Sequence, residues 1–137
     1  MGFDLDGFIA DCRAALAEDQ SHKSVREVVA RAISDPASVI KGLGEPRRAE
    51  VLKLYHSEHL TILNVIWGPR MTIMPHNHQM WAVIGVYTGR EDNIFWRRIP
   101  GSESGKVRLP APGRYARRTR SRLDITSFIQ SRTPFLA

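Results

Sequence analysis

Near Glu50 the spacing of apolar residues changes from a helical to an extended period, and that change fixes the order of elements: helices first, strands after. Leu5, Phe8, Ile9, Cys12, Ala15 and Leu16 recur every three or four residues, with Asp4, Asp11, Arg13 and Glu18 opposite them. This is the pattern of an amphipathic helix that covers a core, and it makes Cys12 a small core residue. A second helix is predicted from Ser24, because Ser24-Val25-Arg26-Glu27 has the form of a capping box ahead of Val28, Val29, Ala32 and Ile33. It is expected to stop near Asp35-Pro36. Beyond Glu50, Val51, Leu52 and Leu54, then Leu60, Ile62, Leu63, Val65, Ile66 and Trp67, read as strands on either side of Ser57-Glu58-His59. Gly68-Pro69-Arg70 is a predicted turn, Met71 to Met74 a short strand, Gln79 to Tyr87 a strand, Thr88-Gly89-Arg90 a turn and Asn93 to Ile99 a further strand. Helices followed by short strands predict an α+β chain with a β-barrel or sandwich.

A chain of 137 residues with 42% apolar side chains suffices for one small core without disulfides, and the single cysteine cannot pair internally. No charged-then-apolar leader occupies Met1 to Ile9, and no apolar run approaches the roughly 20 residues that span a bilayer, so a soluble, cytoplasmic protein is expected. The net charge of +6 is unevenly placed. Residues 1–107 carry 13 Lys and Arg against 13 Asp and Glu, whereas Arg108, Arg114, Arg117, Arg118, Arg120, Arg122 and Arg132 face only Asp124. The basic character therefore belongs to a tail and not to a domain.

Pro75-His76-Asn77-His78 carries the clearest chemical signal. On an extended segment side chains alternate, so His76 and His78 share one face about 7 Å apart and can converge on one metal ion while Asn77 turns away. Two imidazoles are half of a metal site, and a third ligand must come from elsewhere. The other histidines, His22, His56 and His59, all lie upstream.

The stretch from Trp67 to Arg98, with Pro75-His76-Asn77-His78, Trp81-Ala82-Val83-Ile84-Gly85 and Gly89-Arg90-Glu91-Asp92-Asn93, resembles the bacterial cysteine-dioxygenase-like cupins, predicted metal-dependent enzymes of the double-stranded β-helix superfamily. The likeness runs from about Glu50 to Val107. It implies a mainly β fold, a double-stranded β-helix (cupin or jelly-roll) barrel with two N-terminal α-helices. The corresponding organisation is a helical cap over residues 1–45, the first part of the barrel over 46–107, and an Arg-rich irregular tail over 108–137. The resemblance further implies a mononuclear Fe(II) held by three histidines, two of them matching His76 and His78, with open positions for a thiol and O2. Zinc, manganese and nickel are the other metals such ligands admit. The implied reaction adds oxygen to a small thiol and yields a sulfinic acid, so the implied partners are that thiol and O2, with no membrane.

Several family features are missing. Ala82 and Val83 stand where many cupins place a glutamate, as a three-histidine site requires. No cysteine stands near Val83 to crosslink to a tyrosine. Tyr55 is followed by His56-Ser57, and not by the arginine that holds the substrate carboxylate in the eukaryotic enzymes. Arg47, Arg48, Arg70, Arg97 and Arg98 are possible substitutes, each better read as a solvated surface charge. The segment carrying the third ligand, of the form Ile-His-Ser-Val-Thr-Asn-Pro, is also missing. Codons for Ser127 to Pro134 read two bases on can nevertheless spell that motif, and Phe128-Ile129 restricts the critical position to His or Tyr. A frameshift near Val107 accounts together for the charge jump, the lost periodicity and the arginine excess. Without its closing strands the barrel exposes edges, which points to weak iron binding, aggregation or a homodimer.

Blander readings compete at each position. His56 and His59 fall on opposite faces of a hairpin region and read as exposed polar residues. Glu91 and Asp92 follow a turn at the barrel rim and read as solvated, and Trp67, Trp81, Phe95 and Trp96 read as core aromatics, with Tyr87 a weaker pocket candidate. A non-catalytic cupin binding a metal or small ligand is one alternative. Nucleic-acid binding through Arg114 to Arg122 is the other, and no aromatic platform accompanies those arginines.

Overall fold

The structure is a computed structural model; it describes residues 2–74, 78, 80–91, 97–98, 107–108 and 125–130. Helix α1 spans Leu5–Glu18, and the Asp4 carboxylate caps it by accepting from the Gly7 N–H at 2.7 Å. Helix α2 spans His22–Ile33 and not a segment starting at Ser24. Its cap is Ser21, whose hydroxyl accepts from the Lys23 N–H at 3.3 Å. Asp19 holds Ser21 in place by accepting from its N–H at 2.9 Å and from its hydroxyl at 2.5 Å. Ser24 lies inside the helix, and its hydroxyl donates to the Ala15 and Asp19 carbonyls at 3.0 and 3.2 Å. It ties the start of α2 to the end of α1 instead of capping anything.

Among the described residues there are three helices where two were expected. Asp35-Pro36 ends one and starts another: Pro36 opens α3, Pro36–Leu43, while Asp35 accepts from the Ser38 N–H at 3.2 Å. A proline has no N–H to leave unpaired at a first helical position, so the same dipeptide serves both purposes. Gly44 closes α3 at φ +90°, a conformation open to glycine, and donates its N–H to the Ile40 carbonyl at 2.8 Å.

The strands are β1 (Glu50–His56), β2 (Thr61–Ile66), β3 (Ala82–Thr88), β4 (Arg97–Arg98), β5 (Val107–Arg108) and β6 (Ile125–Gln130). One antiparallel sheet has the order β1-β2-β6-β3, and β4 pairs with β5 in a second. The described residues thus form a small α+β protein, with three helices packed on a short antiparallel sheet. Met71 to Met74 do not form the expected strand: Arg70 at φ 61° and the bond from the Met71 N–H to the Gly68 carbonyl turn the chain instead. The strand expected from Gln79 begins at Ala82, after Met80 and Trp81. Of the strand expected over 93–99, Arg97–Arg98 is β4 and the remainder lies outside the described residues. Within the tail expected to be irregular, Ile125–Gln130 is a strand at the centre of the sheet. Ile125, Phe128 and Ile129 make this the apolar part of an otherwise arginine-rich segment, and its six residues are enough for one strand.

Helices cover one face of the sheet. Ile62 and Val83 meet Phe8, Cys12, Val25, Val28 and Val29 in one buried cluster, while Ile66 and Tyr87 meet Val39 in another. Burying each large aliphatic side chain contributes about 1.5–3 kcal/mol. Gly85 permits the close approach of α2 to β3: a Cβ there would lie 2.6 Å from Val29 Cγ1 and 3.0 Å from Ile33 Cγ2. On the opposite face Val51 and Ile84 are 60% and 42% exposed. No helix among the described residues is long and apolar enough to cross a membrane.

Candidate functional site

The histidine segment leads into β3. His78 is partly buried and stands outside regular strand structure, four residues before Ala82, while Pro75, His76, Asn77 and Gln79 lie outside the described residues. The remaining histidines lie on other elements. His22 is the exposed first residue of α2, and its ring lies 6.5 Å from that of Trp81 at 53°. His56 ends β1, where Nδ1 is 2.9 Å from Thr61 Oγ1 across the hairpin. His59 lies in the β1–β2 turn, 4.0 Å from Glu58, with both side chains highly exposed. These placements agree with the reading of His56 and His59 as surface polar residues. Among the described residues no three His, Cys, Asp or Glu side chains come together as metal ligands.

Glu91 is partly buried beyond β3, and Asp92 lies outside the described residues. Arg47 and Arg70 are exposed, and Arg48 pairs with Glu50 at 3.3 Å while its side chain is 80% exposed. An exposed pair of this kind contributes little, which suits the solvated reading. Trp67 is partly buried, and Trp81 packs against the helix-side core with its Nε1 buried and without a hydrogen-bond partner among the described residues. Phe95 and Trp96 lie outside the described residues.

Tyr87 is 3% exposed. Its ring is buried against α3, and its hydroxyl donates to Asn64 Oδ1 at 2.9 Å. Burial pushes its phenol above the ordinary value, and the bond to Asn64 opposes that shift. Asn64, 2% exposed, is the buried polar residue that sequence reasoning passed over. Its signal was available: one amide in the apolar run Thr61-Ile62-Leu63-Asn64-Val65-Ile66, at the same parity as Ile62 and Ile66. Such a group needs a partner in the interior, and Tyr87 supplies it. Asn64 and Tyr87 belong to β2 and β3, so their bond reaches past the intervening β6 at Ser127.

Cys12 is fully buried, and burial, with Asp11 adding to it, pushes its thiol up to about 12. A thiol so held is neutral at physiological pH and inert. A cleft of about 440 Å³ lies among the helices, lined by Phe3, Asp4, Asp11, Arg31, Asp35 and Ser38 among others and by no histidine. Comparison with protein-family models, curated proteins and solved structures finds no match for this chain.

Proposed function

We propose that this chain is a cupin related to the thiol dioxygenases, built to hold Fe(II) through His76 and His78 and lacking the third histidine needed for turnover. The observation that carries the reading is the string Pro75-His76-Asn77-His78 leading through Trp81 into β3, with Gly85 and Gly89 following at the motif's spacing. The glycines alone carry no chemistry: Gly85 is accounted for by its contact with α2 and Gly89 by its φ of +92°. The strand order supports the reading at the level of fold. β6, the last strand among the described residues, is inserted antiparallel between β2 and β3, as a late strand is between two early ones in one sheet of a jelly roll.

The fit of a metal is partial, since the described residues supply His78 and no cluster of three ligands. When bound to a complete three-histidine site, ferrous iron supplies open positions on which a thiolate and O2 are brought together. In this chain His76 and His78 would bind the ion and Asn77 would turn away from it. Iron held by two imidazoles is held weakly, and oxygenase activity toward small thiols is expected to be absent or slight.

The test is ferrous iron binding under anaerobic conditions, followed by oxygen uptake with cysteine and other small thiols. Weak iron binding that is lost in His76→Ala and in His78→Ala, and kept in His22→Ala, His56→Ala and His59→Ala, is the expected result. Binding that is indifferent to His76 and His78 would overturn the metal assignment. Robust oxygen uptake with one iron per chain would overturn the incompleteness of the site.

A further inference from the structure

Of the four methionines in the chain, Met71, Met74 and Met80 all fall within residues 71–80, and His78 stands among them. Packing does not account for this group. Met71 is 58% exposed and Met74 81% exposed, while Met80 and His78 are partly buried. A methionine ordinarily fills a gap in a core, and burial is the source of its contribution to stability. At 81% exposure Met74 has little of that contribution. What an exposed thioether keeps is a soft sulfur donor.

The backbone does not hold these donors on opposite sides. Met71 to Met74 lie outside the strand ladders, because Arg70 at φ 61° and the bond from the Met71 N–H to the Gly68 carbonyl turn the chain ahead of them. A ladder would fix successive side chains on alternate faces, and a segment outside one is not bound by that alternation. Met74 and His78 are four residues apart, which limits their Cα separation to about 14 Å even along a fully extended chain. A thioether on three rotatable bonds and an imidazole, both reaching toward one ion, span such a distance. Met71 comes three residues before Met74 and Met80 two after His78, so all four donors lie in one short stretch between β2 and β3. Gathering them around an ion closes only short loops, whose entropic cost is small.

The donor set selects the ion. Thioether sulfur favours Cu(I), imidazole accepts copper as it accepts zinc or iron, and no carboxylate occurs within residues 71–80 to favour a harder cation. We infer that Met71, Met74 and Met80, together with the His78 imidazole, form a binding site for Cu(I). The inference does not rest on the iron reading, although His78 serves both. Fe(II) takes imidazole and oxygen donors in preference to thioethers, so the methionines tell the two metals apart.

The test uses the 137-residue chain in a Cys12→Ala background, so that methionine is its sole source of sulfur. Cu(I), kept reduced with ascorbate in the absence of oxygen, is shared between the protein and bicinchoninate, and the affinity is read from the colour of the bicinchoninate complex. The parent is expected to take one Cu(I), with affinity falling several-fold in Met71→Leu or Met74→Leu and further in the chain carrying Met71→Leu, Met74→Leu and Met80→Leu. His78→Ala is expected to weaken it as well. Leucine is close to methionine in volume, and an unchanged urea midpoint verifies that these variants keep the fold. X-ray absorption at the copper edge of the parent decides independently of any variant, and sulfur neighbours are the expected result. Copper surrounded by nitrogen and oxygen alone, or affinity indifferent to the three leucines, overturns the inference and leaves the methionines as exposed apolar surface. Fe(II) binding by the same chains is expected to be indifferent to the leucines. Cu(I) binding as described with Fe(II) binding indifferent to His78 would remove the iron reading alone, and Fe(II) binding without Cu(I) binding would remove this one alone.

Discussion

Cys12 shows how one buried group sets a pH dependence. Folding keeps its thiol protonated up to about 12, against an ordinary value of 9.0. Above pH 9.0 the unfolded chain releases that proton and the folded chain does not, so the unfolded state binds fewer protons and stability falls as pH rises. The contribution is fully present below 9.0 and is lost progressively toward about 12. The slope is about 1.4 kcal/mol per pH unit, and other groups titrate in the same window, so the quantity to measure is the difference between the parent chain and Cys12→Ala in urea unfolding. That difference is expected to be constant to pH 9 and then to shrink. A difference that stays constant through pH 11 would show that the thiol is not shielded. The core role of Cys12 was legible from its position on the α1 stripe with Phe8 and Ala15. The Asn64–Tyr87 bond was not, because a pairing across an intervening strand depends on the order β2-β6-β3, which no local pattern contains.

At the scale of elements, the sequence located α1, α2 and the strands β1 to β3, and erred where two local signals compete. Ser24-x-x-Glu27 and Ser21 both offer a cap to α2; Ser21 prevails because Asp19 orders it and because the earlier start adds a turn to the helix. The consequence is measurable by a paired substitution. Ser21→Ala is expected to cost about 1 kcal/mol, as the loss of an N-cap does. Ser24→Ala removes a hydroxyl that ties α2 to the Ala15 and Asp19 carbonyls, and alanine favours the helix interior, so its net effect is expected to be smaller. Thermal or urea unfolding of the two variants separates the assignments, and a larger loss from Ser24→Ala would restore the capping box. The third helix was missed because Asp35-Pro36 reads first as a stop. β6 was missed because its strand signal is six residues long inside a segment without any period. The candidate metal site was legible only as far as His76 and His78, since a third ligand is fixed by tertiary pairing.

For the molecule as a whole, the division of charge is the property that most needs a cause. Residues 1–107 are balanced at 13 against 13, and the entire +6 arises after them. A strand whose register suits the slot between β2 and β3 lies in that same basic segment, so the tail participates in the fold without resembling the rest of the chain in composition. A reading-frame change near Val107, the cause proposed from the sequence, would produce this contrast, because out-of-frame coding loses hydrophobic periodicity and balanced charge at one point. It makes a prediction at the level of nucleotides: from the codon of Gly105 onward, the gene is expected to encode Ile-His-Ser-Val-Thr-Asn-Pro in the frame two bases beyond the one that gives Ser127 to Pro134. Restoring that frame is then expected to produce a chain that retains iron through dialysis, where the 137-residue chain loses it, and that consumes oxygen in the presence of a small thiol. A gene that lacks the motif in that frame would make the arginine-rich segment a native part of the protein. Should the motif be present and the restored chain still fail to retain iron, His76 and His78 would have to be read as ordinary polar residues ahead of β3.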